Sequence, residues 1–438
     1  MGVNQLALLQ KLGPLRRDIV SDGFDQALKL LGQDFPLKVH EYATGTPCWT
    51  WRVPAKWSCD EAFVETLAGE RLIDQTWHPL QIASYSIALD QILTRDELST
   101  HLHTHPHLPA HVPFIFHYYQ KDWGFGCGHQ VRDNLTQGRY RVVIRSRFEP
   151  GYLKVGELVL EGDTEDCFVL CGHLCHPGQV NDGLSGVVTG LAVMEELARL
   201  PRRRYTYRLL ILPETIGSVA WLSHNESLIP RIKAGLFLDM TGVDLPPALQ
   251  LSYFGNTSAD ACLRYIHQSS EEGAWTASYR GVVGNDERQF NAPGVRIPML
   301  SYSRALPWGH PLRPYREYHS SADTLEITGV NRLNQSLQTV LAMVQAWDDN
   351  YYPVNRFKGE VFLAGYDLAT DRHRNLDVHR NRLKIMDLID GSHSSAHIAE
   401  RLDISFYEVR GFLEQLRAAG LIEARMDRQF AGDREPAC

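Results

Sequence analysis

A chain of 438 residues with 44% hydrophobic and 22% charged side chains is that of a folded globular protein long enough for two or three domains. Its formal charge of −8 gives no electrostatic basis for nucleic acid or an anionic membrane as the main partner. No apolar run approaches the roughly 20 residues that span a bilayer, and eight cysteines without a CxxC pair or regular framework read as reduced core thiols.

The first residues, MGVNQLALLQKLGPLRRDIV, mix apolar and charged side chains as an amphipathic helix does. Arg16 and Arg17 follow the apolar part, whereas a signal peptide carries its basic residues first, and Leu6 stands where a myristoylation signal has Ser or Thr. The expectation is a cytoplasmic protein. The helical reading continues to about residue 45, with Phe24, Leu28 and Leu31 lining one side.

Residues 46–149 differ in character. They are rich in Trp and Pro, as in TPCWTWRVPAKW, and the segments RYRVVIRSRF and FIFHYY predict strands of a separate, mostly-β unit. Within it, THLHTHPHLPAHVPFIFH sets His101, His103, His105, His107, His111 and His117 close together. Alternate histidines can hold a divalent metal, but Pro106, Pro109 and Pro113 interrupt any regular face.

From about residue 155, apolar runs alternate with helical patterns: CFVLCGH, then LSGVVTGLAVMEELARL; YRLLILPE, then IGSVAWLSHN; GLFLDM; and IPMLSY. Strand–helix–strand order with fully apolar strands predicts an α/β fold whose mixed sheet is mainly parallel, with helices on both faces. After a linker beginning near residue 351, NRLKIMDLIDG, SSAHIAERLDI and SFYEVRGFLEQLRAAG predict three short helices, a winged helix-turn-helix order over residues 371–430. From Asp371 onward there are eleven Lys and Arg against twelve Asp and Glu, which argues against DNA binding and for a packing or oligomerisation element. Phe406, Val409, Leu413 and Leu416 supply its apolar stripe.

In mainly parallel sheets, ligands bind beyond the C-terminal strand ends. His173 follows CFVLCG, Glu214 follows LLILP, Asp239 ends GLFL, and His319 lies in a loop after IPMLSY, so the four converge on one edge. Asp182, in NDGLSG, is either the N-cap of the following helix or a ligand beside His173 and His176. A hydrolytic zinc site needs three or four N, O or S ligands with one position left for water, and Glu214 is placed to act as general base on a metal-activated water.

The motifs GHLCHPGQVNDGLSG, LLILPETIGS, GLFLDMTG, GNDERQF and EYHSSADTLE, in this order, resemble the M28-type zinc aminopeptidases. They are most similar to aminopeptidase-like proteins with an inserted β domain and a C-terminal winged helix, a group linked to polysaccharide or natural-product biosynthesis. The resemblance implies a zinc exopeptidase-like catalytic domain from residues 1–45 and 150–350, with 46–149 inserted. It implies His173, Asp182, Asp239 and His319 as metal ligands, Glu214 as catalytic base, and Asp286 and Glu287 near the amino end of the substrate. Two-metal enzymes of this type carry a second glutamate after the base and an Asp two residues after the first histidine; here those positions are Thr215 and Cys175. The expectation is therefore one zinc rather than two, held by Asp182, His319 and either His173 or His176, with Asp239 a fourth ligand or its supporting partner. Cys175 is a further thiolate candidate.

The leading expectation is thus zinc-dependent cleavage of an amide or peptide bond, with a peptide or small amide as partner. The alternatives are an amidase or deacylase of a small biosynthetic intermediate, its pocket walled by the Trp-rich insert, and a non-catalytic binding or regulatory protein. The sequence allows a homo-oligomer.

Overall fold

A computed structural model describes residues 3–369 and 375–426. Gly2, residues 371–374 and 427–430 of the expected C-terminal unit, and Cys438 lie outside the described residues.

Eight strands form the main sheet, in the order Lys38–Ala43, Tyr152–Leu160, Thr206–Leu212, Cys167–His173, Ile232–Leu238, Met299–Arg304, Pro247–Gln250 and Trp275–Ala277. The four central strands, Thr206–Leu212 to Met299–Arg304, run parallel, while Lys38–Ala43, Tyr152–Leu160 and Pro247–Gln250 pair antiparallel. The sheet is mixed, and its apolar centre follows the sequence: every side chain of Cys167–His173 is buried, as a strand covered on both faces requires. Strands 206–212 and 232–238 lie on opposite sides of 167–173, so the chain reverses direction there, and the crevice at that reversal is where such sheets bind ligands.

The helix Leu184–Ala198 lies against strands Cys167–His173, Thr206–Leu212 and Ile232–Leu238, flanked by Gln5–Leu12 and Val330–Asp349. It is apolar nearly all round, with twelve of fifteen residues buried, as befits a helix enclosed between sheet and helices. Its approach is close: a Cβ on Gly186 would meet the Leu238 carbonyl oxygen at 2.0 Å, so glycine is what lets the start of this helix rest on the end of the neighbouring strand. Phe24, Leu28 and Leu31 are buried on the helix Asp22–Leu31, as their spacing predicts.

Three expectations need correction. The helical reading to residue 45 is interrupted at Lys38–Ala43, an edge strand whose polar alternation hides it. FIFHYY is not a regular strand; it is an irregular segment tied by isolated bridges, Ser84 to Phe116 and Pro113 to Ser320. The linker after residue 351 contains the strand Tyr352–Asn355, which pairs antiparallel with Ile422–Arg425 near the far end of the chain.

Between the first two strands of the main sheet, the chain builds a four-stranded antiparallel sheet in the order Arg71–Asp74, Lys56–Thr66, Arg139–Glu149 and Leu89–Thr94. The C-terminal helices are Leu376–Met386, Ser395–Leu402 and Phe406–Ala418. Phe406, Val409, Leu413 and Leu416 are all buried, and the unit docks on helix Ser258–Gln268 through paired Arg264–Glu400 contacts at 2.7 and 3.0 Å and a Tyr265 hydroxyl donating to the Ile404 carbonyl. The described cysteines are free thiols, and among the described residues no helix is long and apolar enough to cross a membrane.

Candidate metal centre

His173 ends its strand opposite Leu212 of the neighbouring one, so Glu214, two residues further on, reaches the same edge. Asp239 follows the strand Ile232–Leu238 directly, and His319 arrives from the loop beyond Met299–Arg304 with a left-handed backbone (φ 52°). The loop between His173 and the helix Leu184–Ala198 contributes His176 and Asp182. All of these were sequence candidates, and the structure gathers them into one cluster.

Asp182 lies at its centre. Its Oδ1 is 3.3 Å from His173 Nε2, and its Oδ2 is 3.1 Å from His319 Nε2 and 3.7 Å from His176 Nε2. The N-cap of the following helix is Gly183, with no side-chain cap bond, so the carboxylate is not spent on capping. Asp239 also escapes the capping role: its Oδ1 accepts the Gly183 amide at 2.7 Å, while the amides of Thr241 and Gly242 go to Ser185 and Asn181. Its Oδ2 is 3.5 Å from His173 Nε2.

Two donor triads therefore share Asp182: His173, Asp182 and Asp239 on one side, and His176, Asp182 and His319 on the other. Tetrahedral zinc with N and O bonds near 2.1 Å needs donor atoms about 3.4 Å apart, and the separations above bracket that value. Both ring nitrogens of His173, Nε2 of His319 and Oδ2 of Asp182 are buried without a hydrogen-bond partner, an arrangement costly for polar atoms unless something else satisfies them. On both counts the residues fit a divalent metal.

Electrostatics divide the cluster. Burial alone would lower the His173 pKa, but Asp239 and Asp182 overcome it and hold the ring's pKa well above the ordinary value. Burial takes His176 well below its ordinary value, leaving a neutral imidazole of the kind that ligates metals. Burial works to raise Asp182, yet His176, His173 and His319 hold it well below the usual carboxylate range. Glu214 is raised, chiefly by burial; its Oε2 is 3.7 Å from His176 Nε2, and its side chain keeps 29% exposure toward the adjoining cavities. Cys175 is buried, its sulfur accepts the Glu214 amide at 3.0 Å, and burial raises its pKa, which favours the thiol over a thiolate ligand.

Asp286 and Glu287 go elsewhere than expected. Both are fully buried: Asp286 accepts the Thr215 amide at 2.8 Å and the Ser218 hydroxyl at 2.6 Å, and Glu287 accepts from the Asn285 amide and Gln250. They brace the Glu214–Thr215 turn and the 285 loop beneath the cavity instead of lining it. Thr215 itself has φ 64°, a strained setting for a β-branched residue. The histidine tract forms no metal cluster among the described residues. It acts instead as a strap across the His319 loop: the Phe114 amide donates to the His319 carbonyl, Val112 and Ser321 exchange hydrogen bonds, and His105 meets the Tyr318 carbonyl. The Phe114 ring packs on both His176 and His319.

Two further residues position the loop, and neither stood out in the sequence. Asp323 accepts the amides of Asn181 at 2.7 Å and Asp182 at 2.9 Å, and the Tyr315 hydroxyl at 2.8 Å. Arg17, fully buried, donates to the carbonyls of Leu174, His176 and Gln179 at 2.7–2.9 Å and also to Gly13 and Leu12. Burial lowers its pKa to about 10, so the clamp remains charged at neutral pH. Two cavities meet at Glu214. One, of about 420 Å³, is walled by Trp51, Phe116, Tyr118 and Tyr119; the other, of about 320 Å³, also reaches Asp239.

Known proteins share this architecture. The family model described as a domain of unknown function, DUF4910, matches residues 6–350. A Clostridium acetobutylicum protein, provisionally named for polysaccharide biosynthesis with an aminopeptidase-like domain, is 33% identical over 343 residues, covering 78% of this chain and 77% of its own. A crystal structure from the same organism, provisionally assigned to the peptidases, superposes with a TM-score of 0.84 at 29% identity over 96% of both chains. A zinc aminopeptidase from Bacillus subtilis shares the fold at 15% identity, with a TM-score of 0.57 over 78% of this chain and 93% of its own. An M28 peptidase precursor from Shewanella amazonensis does so at 13% identity, with a TM-score of 0.56 over 78% and 92%. The chain belongs to the DUF4910 family, and its fold is similar to those of a zinc aminopeptidase and an M28 peptidase precursor.

Proposed function

We propose that this protein is a zinc-dependent hydrolase that cleaves an amide or peptide bond, with Glu214 as general base. The observation that carries the reading is the pair of donor triads sharing Asp182 next to a carboxylate, Glu214, that faces open cavity. When bound, zinc would polarise the scissile carbonyl and lower the pKa of a water. Glu214, held up by burial, takes the proton of the attacking water and passes it to the leaving nitrogen. Asp239 and Asp323 fix the loop that presents Asp182, so the donors meet without reorganisation. His173 and His176 each have their own triad, which supports two metal positions rather than the single one expected, with His176 filling the role of the missing second glutamate.

The same site supports an amidase or deacylase of a small molecule as the second reading. Asp286 and Glu287 are buried and engaged with the Thr215 and Asn285 amides, which favours a substrate without a free amino end, and aromatic side chains of the insert wall the cavity at Glu214. A panel of aminoacyl arylamides and N-acyl amines separates the two. Glu214→Gln tests the shared chemistry: the variant is expected to keep its metal and lose turnover by at least about 100-fold. Retained turnover, or a wild-type protein without metal, would overturn the proposal.

A further inference from the structure

The 320 Å³ cavity is chemically lopsided. Its acidic residues, Glu214 and Asp239, lie on the side of the metal centre, while Arg280, Arg288 and Arg313 line it elsewhere. Among the described residues, none of these three arginines pairs with a carboxylate within 4.0 Å. That is local: Arg264, Arg304 and Arg332 each pair with an acid at 2.5–2.7 Å. The three are nonetheless held in place. Arg288 donates through Nε to the Asn285 carbonyl at 2.9 Å and lies 3.4 Å from the Thr215 hydroxyl; Arg313 stacks its guanidinium 3.5 Å over the Trp308 ring; Arg280 lies 5.3 Å from the Tyr279 ring.

Three guanidinium groups around one cavity repel one another unless an anion joins them, and their planar forks match the two oxygens of a carboxylate or phosphate. A cleft wall carrying one sign of charge, as the arginine side of this cavity does, also concentrates the opposite ion. A substrate ammonium, by contrast, would meet three like charges here.

We propose that this cavity is an anion subsite: the substrate carries an oxyanion, a carboxylate or a phosphate, that enters beyond Glu214 and is held by Arg280, Arg288 and Arg313 while the scissile bond lies at the metal centre. The inference rests on the hydrolase reading and narrows it to acidic substrates.

Calorimetric titration of the metal-loaded protein with glutarate and with inorganic phosphate tests it without requiring turnover. At least one anion is expected to bind, and the one that does identifies the oxyanion. Affinity is expected to fall about tenfold or more in Arg280→Gln/Arg313→Gln, to weaken with added salt, and to survive removal of the metal by a chelator. Both side chains are exposed and outside the metal cluster, so the double variant is expected to keep the wild-type melting temperature.

Failure to bind either anion overturns the inference, as does equal affinity in the double variant. Binding that disappears with the metal yet ignores the arginine substitutions places the anion on the metal, sinking the subsite and leaving the hydrolase reading intact. An anion site that responds to the arginines in a protein that binds no zinc and turns over no amide would do the reverse.

Discussion

Asp323 accepts the backbone amide of Asp182 at 2.9 Å, which leaves the Asp182 carboxylate free to face three histidines. One aspartate orients the backbone of another, as partners beyond the ligands do in metal sites generally. Asp323→Ala is expected to weaken metal affinity by about 10- to 100-fold while the protein still folds. Competition with a chelating indicator reads this; unchanged affinity would show that the loop holds its shape without Asp323.

Gly183 occupies φ 75°, and a Cβ there would meet the His173 ring at 2.5 Å. Gly183→Ala therefore strains the backbone and displaces a metal donor together. A loss of about 1 kcal/mol or more in stability is expected, with reduced metal content. Denaturant unfolding and metal analysis of the same preparation check both, and a variant with wild-type zinc would refute the crowding argument.

Arg17→Met removes the donor for several buried carbonyls on the loop after His173 while roughly preserving bulk. Each carbonyl left without a partner costs about 1–3 kcal/mol, so the variant is expected to lose about 3 kcal/mol or more. If urea unfolding shows a smaller change, water has entered and replaced the guanidinium.

Burial holds the Glu287 carboxyl at about 7, above its ordinary 4.5. Between those two values the unfolded chain gives up a proton that the folded one keeps, so this group removes stability as pH rises, and the loss is complete above about 7. Glu287→Gln cannot ionise. Melting temperatures from pH 5 to 8 are expected to show wild type losing ground to the variant as pH rises; parallel profiles would mean that Glu287 is ionised throughout.

The apolar centre of the sheet was legible because strands such as Cys167–His173 are buried on both faces and read as unbroken hydrophobic runs. The gathering of His173, Asp182, Glu214, Asp239 and His319 was legible because strand order alone brings their positions to one edge. Lys38–Ala43 was not, since an edge strand with one buried side chain out of six leaves no hydrophobic signature. Arg17 drew notice only as half of a basic pair that argues against a signal peptide; three of its carbonyl partners lie more than 150 residues away, and no local pattern encodes those. Asp286 and Glu287 were legible as members of a motif but not in their direction, because whether a carboxylate lines a cavity or props its floor depends on packing that sequence order does not contain.

The pairing of Tyr352–Asn355 with Ile422–Arg425 has a consequence for biosynthesis. The earlier strand leaves the ribosome with the completed sheet behind it and with its hydrogen-bonding edge open, and it stays open until residues 422–425 emerge to cover it. A chain cut short after the candidate metal centre and before residue 422 would therefore carry every donor of that centre and still display an unpaired, aggregation-prone ribbon.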